Sequence, residues 1–415
     1  MASCALLRWP AINPVVRDGE VEWQCRDGSL ELPAIFFADG SAWGEANLWA
    51  QHQASSCDAR TVERNLDHLC AYAKWLEAEG LSWWHFPVRE RDRCLVRFRG
   101  ALITARDRGE LAPSTVSQRM AAVVRFYRWV QASGLFNPNW PMWEERLVVL
   151  RLDNAVGLQR TLRVQTTNLA IPNRKVPGTL APEDGLMPVA GDQVCEILEL
   201  AVSAVSQELT LMLRLGFGTG MRLGSICGLW TDTLLNARPC PLLGEAGWFR
   251  LSIGPAARPP VPTKFGVSGS VLISHELLEE LHDYAVCTRR LKRQAQAALA
   301  HRQLLFLTRF GDRYDRRDSR AINVEMSRLR DAGRNAGVSV LREFHFHRTR
   351  ATFLSQLMRA ALSCLPVGDA VDFVREAALH RHEATTLKYV KFVEKTKAMA
   401  GGANAFTQAF LGLKR

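Results

Sequence analysis

The stretch between residues 150 and 190 divides this chain of 415 residues into two parts. Its apolar residues follow no helical or strand period, and proline and glycine accumulate in its second half, IPNRKVPGTLAPEDGLMPV. Because proline and glycine interrupt regular structure, such a stretch is typical of an interdomain linker. We therefore predict a linker over 151–190, in which Arg174 and Lys175 are available to bind phosphate groups, and a folded domain on each side.

The segment before the linker has the apolar spacing of amphipathic helices. In TVERNLDHLCAYAKWLEAEG the apolar residues recur at spacings of 4, 3, 4 and 3, and a second helix is indicated from PSTVSQ onward. The polar face of that second helix carries Arg119, Arg125 and Arg128. We predict a compact helical domain over 56–150, whose arginines are either ordinary solvated charge or contacts to a polyanion.

Residues 1–55 have a different pattern. In EVEWQCRDGSLELPAIFFADGSAW polar and apolar residues alternate, and Asp27-Gly28 and Asp39-Gly40 are both signals for hairpin turns. We predict a small β element in this segment and assign it no role.

The segment after the linker is predicted to be helical from about Gly191 onward, with one strand-rich interruption between about Trp248 and Ser274. There FRLSIG and SVLIS flank GPAARPPVPTKFGVSG, a pattern that predicts a β-hairpin with a long basic tip carrying Lys264. The expected fold class is therefore mostly α with a small β-hairpin or sheet in the second domain, an α+β arrangement.

The charge of the chain favours an anionic partner. Its net charge is +11, and residues 285–335 hold 13 lysines and arginines against 5 acidic residues. A basic surplus raises the local concentration of anions and suits a nucleic acid, although a solvated helix face explains the basic window as well.

The cysteines and the hydropathy indicate the compartment. None of the ten cysteines forms a CxxC pair, which argues against a structural zinc site and for a reducing cytoplasm. No run approaches the ~20 apolar residues of a membrane-spanning helix, and the first residues do not have the pattern of a signal peptide.

Three polar clusters stand out in the second domain. LGFGTGMRLGSICGLW places Arg222 between a glycine-rich turn and an apolar helix, where its charge needs an anionic partner. FHFHRTRATFLSQLM holds His345 and Arg348 three residues apart, on one face of a helical turn. In AALHRHEATTLKYVKF, Tyr389 follows His380 by nine residues. Taken singly, the clusters are explained by an ion pair, a basic helix end and a buried aromatic residue.

In this order the motifs T-G-x-R, H-x-x-R and a histidine followed nine residues later by tyrosine resemble the tyrosine recombinase (phage integrase) family. The resemblance covers roughly residues 56–395, and Lys264 matches the lysine that the family carries between two strands of its catalytic domain. The catalytic residues that the resemblance implies are Arg222, Lys264, His345, Arg348, His380 and Tyr389.

The resemblance also implies the reaction. A site-specific recombinase or integrase cuts and rejoins duplex DNA through a covalent 3′-phosphotyrosine, here on Tyr389, without metal or ATP. Lys264 would be the general acid for the leaving 5′-hydroxyl, His345 the proton acceptor for the tyrosine, and His380 a donor to the scissile phosphate. The expected location is a bacterial cytoplasm, in association with the nucleoid.

The resemblance further implies a division of labour along the chain. Residues 56–150 would be a core-binding domain on double-stranded recombination sites, 191–398 the catalytic domain, and 399–415 a tail that docks protomers into a tetramer on DNA. In the tail, Gly401-Gly402 is expected to end the tyrosine helix, and an apolar stripe follows that packs on a neighbour or on its own domain. The DNA contacts expected outside the catalytic centre are Arg119, Arg125, Arg128, Arg174 and Lys175.

Three positions depart from the family pattern. Ser225 replaces a frequent acidic residue, Thr349 a frequent histidine, and Leu379 the glycine that precedes the third-motif histidine. These departures leave open a DNA-binding relative with impaired catalysis. A second alternative is a metal-dependent HUH-type nuclease, since His345-Phe346-His347 has the H-hydrophobe-H form of that class.

Overall fold

The computed structural model describes residues 1–18, 20–153, 159–173, 182, 185–240, 247–315 and 319–411. These residues form two compact units, the first made of 1–153 and 159–173 and the second of the described residues from 182 to 411. Arg174 and Lys175, the two linker residues expected to bind phosphate, lie outside the described residues.

The first unit places four helices between two β-hairpins. Its elements are β1 (Ser3–Arg17), β2 (Glu20–Phe36), α1 (Gly44–Ala54), α2 (Ala59–Ala78), α3 (Cys94–Asp107), α4 (Pro113–Ala132), β3 (Glu145–Asp153) and β4 (Gln159–Thr167). Both hairpins are antiparallel.

Helices α2 and α4 form where the apolar period predicts them. Asp58 caps α2 by accepting a hydrogen bond from the backbone N–H of Thr61 at 2.9 Å, and Pro113 occupies the first turn of α4. The predicted apolar stripes are buried in one core with Trp43 and Trp49 of the α1 region. The two helices predicted in this part of the chain are thereby confirmed.

The β element of residues 1–55 is real but differs in detail from the prediction. The turn of the β1–β2 hairpin lies between Arg17 and Glu20, and the pairing register jumps at Asp27-Gly28, which is a bulge within β2. A hairpin signal is only local, so it cannot distinguish a turn from a bulge. Asp39-Gly40 lies in a turn after β2, where Gly40 has φ +86°.

The prediction of an aperiodic linker over 151–190 is wrong for the residues that belong to β3 and β4. The pair runs antiparallel from Glu145 opposite Thr167 to Asp153 opposite Gln159. Leu147, Val148 and Val149 are all exposed, so this part of the hairpin does not bury one face. Without a buried face there is no alternation of polar and apolar residues for a sequence pattern to detect.

The second unit is predominantly helical around a three-stranded antiparallel sheet of order β5-β6-β7. Its elements are α5 (Gly191–Ala204), α6 (Gln207–Thr219), α7 (Leu223–Cys227), α8 (Thr231–Leu235), β5 (Arg238–Pro239), β6 (Trp248–Ile253), β7 (Gly269–Ser274), α9 (His275–Val286), α10 (Thr288–Gln296), α11 (Ala321–Asn335), α12 (His347–Cys364), α13 (Val367–Ala378) and α14 (Glu383–Leu411). The predicted hairpin and the α+β class are confirmed.

Helix α6 is the centre of this unit and packs against α12. Leu211, Met212, Leu213 and Leu215 are all buried, so the helix has apolar residues on most of its surface. A Cβ added at Gly216 would lie 2.5 Å from Oγ1 of Thr349 on α12, which shows how closely the two backbones approach. Among the described helices, none is long and apolar enough to cross a membrane.

Helix α14 corrects the expected break at Gly401-Gly402. The helix runs without interruption from Glu383 to Leu411, through both glycines. A glycine inside a helix costs about 1 kcal/mol relative to alanine, which weakens a helix without ending it. The side chains that form the predicted apolar stripe of the tail, Phe406, Phe410 and Leu413, lie outside the described part of the chain.

Candidate active site

A small pocket in the second unit brings three cationic side chains together. Arg222, Lys264 and Arg350 line it, together with apolar walls such as Met221 and Val271. The pocket lies where the start of α7, the β6–β7 hairpin and the end of α13 meet. Lys264 and Arg222 were expected here from the sequence, whereas Arg350 was not.

Arg222 is held at the pocket by the glycine turn that precedes it. Gly220 ends α6 in the left-handed conformation with φ +67°, and a Cβ at this position would lie 2.5 Å from Cδ1 of Phe353. Only glycine fits both conditions without a shift in its surroundings. Arg222 then caps α7 with extended backbone angles, φ −74° and ψ 145°.

Arg350 lies in α12 and is 3% exposed. Its Nη1 donates to the carbonyl oxygen of Gly220 at 2.7 Å, and its Nη2 donates to that of Ala378, also at 2.7 Å. The guanidinium is therefore fixed between the turn that carries Arg222 and the end of α13. Two hydrogen bonds of this kind hold the planar guanidinium in one orientation at the pocket.

The structure does not bring His345 and Arg348 to this pocket. His345 is exposed ahead of α12. Arg348 donates through Nε to the carbonyl oxygen of Met187 at 2.9 Å, and burial lowers its pKa. Two residues along a helix turn a side chain by about 200°, because one turn takes 3.6 residues. Arg348 and Arg350 therefore lie on opposite faces of α12.

A second H-x-x-R pattern overlaps the first, two residues later, as His347 and Arg350. The helical period separates the two, because Arg350 is in phase with the buried Leu354, Met358 and Ala361 of α12. That signal was present in the sequence and was missed. A charged residue in the apolar phase of a helix is one that needs a partner inside the fold.

Lys264 lies at the tip of the β6–β7 hairpin, as predicted. It is exposed, and its Nζ lies 5.3 Å from the ring centroid of Phe265. The loop around it is closed by a hydrogen bond from Oγ1 of Thr263 to the carbonyl oxygen of Val267 at 2.7 Å. The flexible lysine side chain thus extends from a well-defined turn.

His380 directly follows Leu379, which lines the pocket, and lies against Tyr389. His380 is buried, and its Nδ1 lies 2.9 Å from Oγ1 of Thr386. The imidazole stacks on the ring of Tyr389, with centroids 6.1 Å apart and planes inclined by 22°. Tyr389 itself is fully buried in α14 and does not line the pocket.

The three arginines expected to contact DNA from the first unit have different surroundings. Arg125 donates to Oδ1 of Asn65 at 2.8 Å, and burial lowers the pKa of both Arg119 and Arg125. Arg128 is paired with Glu145 at 2.9 Å. Arg119 is half-buried, whereas Arg125 is exposed and held by its bond to Asn65.

A second, larger cavity of about 780 Å³ contains part of the basic window that the sequence singled out. This cavity is lined by Ser206, which caps the start of α6, whereas the first pocket lies just beyond the end of that helix. The 13 residues of α6 span about 20 Å, so the two cavities are separated by roughly the length of the helix. Fully buried Glu208 anchors two arginines of the larger cavity at 2.8 and 3.0 Å. The lining arginines are Arg289, Arg293, Arg309, Arg313, Arg320 and Arg328.

The alternative of a metal-dependent HUH-type nuclease would require a cluster of metal-binding side chains. Among the residues that the structure describes, no three His, Cys, Asp or Glu side chains lie close enough to hold a metal ion.

Comparison with known proteins places these residues in a family. The model of the phage integrase family matches residues 189–395. A structure of the Tn1549 transposon integrase with circular intermediate DNA is 14% identical, with a TM-score of 0.49, over 83% of this chain and 93% of that one. A lambda integrase dimer bound to a core site is 14% identical, with a TM-score of 0.47, over 83% and 94%. No curated protein matches the chain.

The family match extends from the start of α5 into α14 and includes the three cations of the pocket, His380 and Tyr389. The chain belongs to the phage integrase family and is a tyrosine-type site-specific DNA recombinase.

Proposed function

We propose that this recombinase cuts and rejoins duplex DNA through a covalent 3′-phosphotyrosine on Tyr389, without metal or ATP. The observation that carries the proposal is the pocket that Arg222, Lys264 and Arg350 line together. Three cations around one small cavity suit a single phosphodiester better than a neutral substrate. Trapping and mapping the covalent adduct between Tyr389 and a 3′-phosphate tests the proposal.

The two arginines would bind the scissile phosphate. Attack on phosphorus increases the negative charge on the non-bridging oxygens, and preorganised guanidinium donors stabilise that charge in the transition state. Arg350 suits this role because two backbone carbonyls already fix its orientation. We therefore assign to His347 and Arg350 the roles that the sequence pattern first suggested for His345 and Arg348.

The proposed reaction also needs an acid and a base. The oxygen of Tyr389 forms a bond to phosphorus while the bond from phosphorus to the 5′-oxygen breaks, and the leaving oxygen takes a proton from Nζ of Lys264. The phenol proton passes to a base, for which His347 at the start of α12 is the candidate. Because the phosphotyrosine conserves the energy of the phosphodiester, the reverse reaction rejoins the strand.

The burial of Tyr389 adds a requirement for movement. Its side chain is fully buried, and the pocket is lined by other residues. The hydroxyl must therefore reach the pocket through a shift of α14 before it can attack phosphorus. Binding of DNA to the pocket is the event that we expect to favour this shift.

DNA binding is proposed to involve phosphate contacts from both units. In the first unit Arg119 and Arg125 are the candidates, and in the second Arg309, Arg320 and Arg328 around the larger cavity. Among the described residues, none of these last three makes an ion pair with an acidic side chain, and all three are exposed. They are therefore available to a phosphate backbone.

The salt dependence of binding tests these contacts. Arg320→Ala and Arg119→Ala should each lower the slope of log K against log salt by about 1, as expected for one lost phosphate contact. Arg128→Ala is the matched control, because Arg128 is already paired with Glu145 and should change the slope less. Equal slopes for wild type, Arg119→Ala and Arg320→Ala would contradict the proposed contacts.

Assembly into a tetramer on DNA is also proposed, with the end of α14 docked on a neighbouring protomer. Four tails that each reach the next protomer close a ring in which every contact is satisfied. Deletion of residues 401–415 should leave single-site binding intact and weaken the pairing of two sites, measured by native gel electrophoresis. Loss of single-site binding or unfolding would show instead that the tail packs on its own domain.

A further inference from the structure

Two positions at which the chain departs from the family pattern, Ser225 and Leu379, contact the chain before and after Lys264, in or next to the loop that carries it. We define this loop, residues 254–268 between β6 and β7, as the lysine loop. We propose that Ser225 and Leu379 are positioning residues that together fix the lysine loop, and with it Nζ of Lys264, against the arginines of the pocket. This inference rests on the proposed role of Lys264 as the general acid.

Ser225 supports the part of the lysine loop that precedes Lys264. It is 6% exposed and lies one turn after Arg222 in α7. Its Oγ donates a hydrogen bond to the carbonyl oxygen of Pro262 at 2.7 Å. A Cβ added at Gly228 would lie 2.4 Å from the Pro262 ring, so this helix and the loop are in close contact. The bond ties the loop to the helix that Arg222 caps.

Leu379 supports the part of the lysine loop that follows Lys264. A Cβ added at Gly269, the first residue of β7, would lie only 2.4 Å from Cδ2 of Leu379. The leucine side chain therefore packs directly on the backbone where the loop ends. Leu379 also lines the pocket and is preceded by Ala378, whose carbonyl accepts the hydrogen bond of Arg350.

The backbone of Leu379 indicates that its side chain matters. Its φ of 51° and ψ of 48° are left-handed, a conformation that glycine adopts freely and that a Cβ disfavours. The family's glycine would fit this turn without strain. A leucine here needs a compensating contact, and the packing on Gly269 provides it.

Between these supports the lysine loop is closed on itself. Oγ1 of Thr263 donates to the carbonyl oxygen of Val267, and the N–H of Gly266 donates to the carbonyl oxygen of Thr263 at 3.2 Å. Lys264 lies inside this turn, and its long side chain is exposed. The position of the turn, rather than burial of the side chain, therefore determines which oxygen the ammonium can reach.

The test compares two DNA substrates in single-turnover cleavage, one with the normal 5′-oxygen and one with sulfur at the bridging position. A thiolate leaves without protonation, so loss of the general acid affects only the oxygen substrate. Leu379→Gly and Ser225→Ala should each slow cleavage of the oxygen substrate by about tenfold to a hundredfold, a fraction of what a general acid contributes. Both should cleave the sulfur substrate at nearly the wild-type rate.

Two further variants separate positioning from a general loss of structure. Leu379→Met keeps an apolar side chain of similar reach and should restore most of the rate on the oxygen substrate. Gly269→Ala should slow that cleavage in the wild type, because the new methyl group displaces Leu379, and should have little further effect in Leu379→Gly. Thermal melting confirms that each variant is folded.

Lys264→Ala, measured in parallel, separates the role of Lys264 as general acid from the positioning roles of Ser225 and Leu379. If sulfur does not rescue Lys264→Ala, Lys264 is not the general acid and the proposed function is wrong on that point. If sulfur rescues Lys264→Ala, but Leu379→Gly and Ser225→Ala slow both substrates equally or neither, the positioning role is overturned. Rescue of all three supports it.

Discussion

Replacing Arg350 by alanine is expected to lower DNA cleavage by about 10²–10³-fold, the usual effect of removing one donor to transition-state charge. Arg348→Ala is the matched control on the same helix, and its expected effect is less than about tenfold. The reason is that Arg350 lines the pocket with Arg222 and Lys264, whereas Arg348 donates to the carbonyl oxygen of Met187 on the other face of α12.

The measurement is the single-turnover cleavage rate at saturating protein, with thermal melting as a control for folding. Arg350→Ala leaves the carbonyls of Gly220 and Ala378 without this donor, so some loss of stability is expected alongside the loss of rate. Arg350→Lys keeps the charge without the planar fork and should recover only part of the rate. A severe defect in Arg348→Ala with a mild one in Arg350→Ala would favour the first H-x-x-R assignment over the second.

Tyr389→Phe is expected to abolish covalent attachment to DNA while leaving DNA affinity within a fewfold of the wild type. The substitution removes only the phenolic oxygen, and the ring that packs in the core and stacks on His380 is retained. Loss of the nucleophile eliminates the first chemical step instead of slowing it.

A second buried tyrosine provides the control for Tyr389→Phe. Tyr314 lies in the same unit, where burial raises its pKa to about 12, and Tyr314→Phe should still form the adduct. A Tyr389→Phe protein that still becomes attached to DNA would place the nucleophile elsewhere. A wild-type protein that binds DNA and never forms an adduct would favour the alternative of a catalytically impaired relative.

The features that the sequence predicts well are those with a strong local signal. The apolar period of α2 and α4, the strands on either side of Lys264 and the glycine turn before Arg222 are each defined by residues close together in the chain. The two overlapping H-x-x-R patterns show the limit of motif spacing, since both satisfy it. The buried Leu354 and Met358 follow Arg350 at helical spacing and distinguish the two patterns, because the face on which a side chain lies is read from the period of the whole helix.

Other features depend on contacts between distant parts of the chain. The hydrogen bond from Ser225 to Pro262, the packing of Leu379 on Gly269 and the burial of Tyr389 each join separate elements. No pattern of neighbouring residues encodes them. The departures at Ser225 and Leu379 therefore look like defects in a motif, and only the fold shows that both adjoin the loop of Lys264.

The β3–β4 hairpin and the end of α14 were missed for different reasons. Leu147, Val148 and Val149 are exposed together, so the strand has no polar and apolar alternation to detect. At Gly401-Gly402 a stop signal was inferred from residue type alone. Glycine ends a helix when it takes the left-handed conformation, as Gly220 does after α6, and otherwise only weakens it.

The central claim is that Tyr389 attacks the scissile phosphate and becomes linked to the 3′-phosphate of the cut strand. Trapping the adduct tests this claim most directly. The wild-type protein is incubated, with and without EDTA, with a nicked duplex in which cleavage releases a short fragment that carries the free 5′-hydroxyl and diffuses away. Proteolysis and mass spectrometry then identify the peptide linked to DNA, and the chain has only five tyrosines to distinguish. The account predicts one adduct, on the peptide that contains Tyr389, joined to a 3′-phosphate and formed equally well with and without EDTA. A 5′-phosphate linkage, an adduct on another residue or dependence on a divalent metal would contradict it.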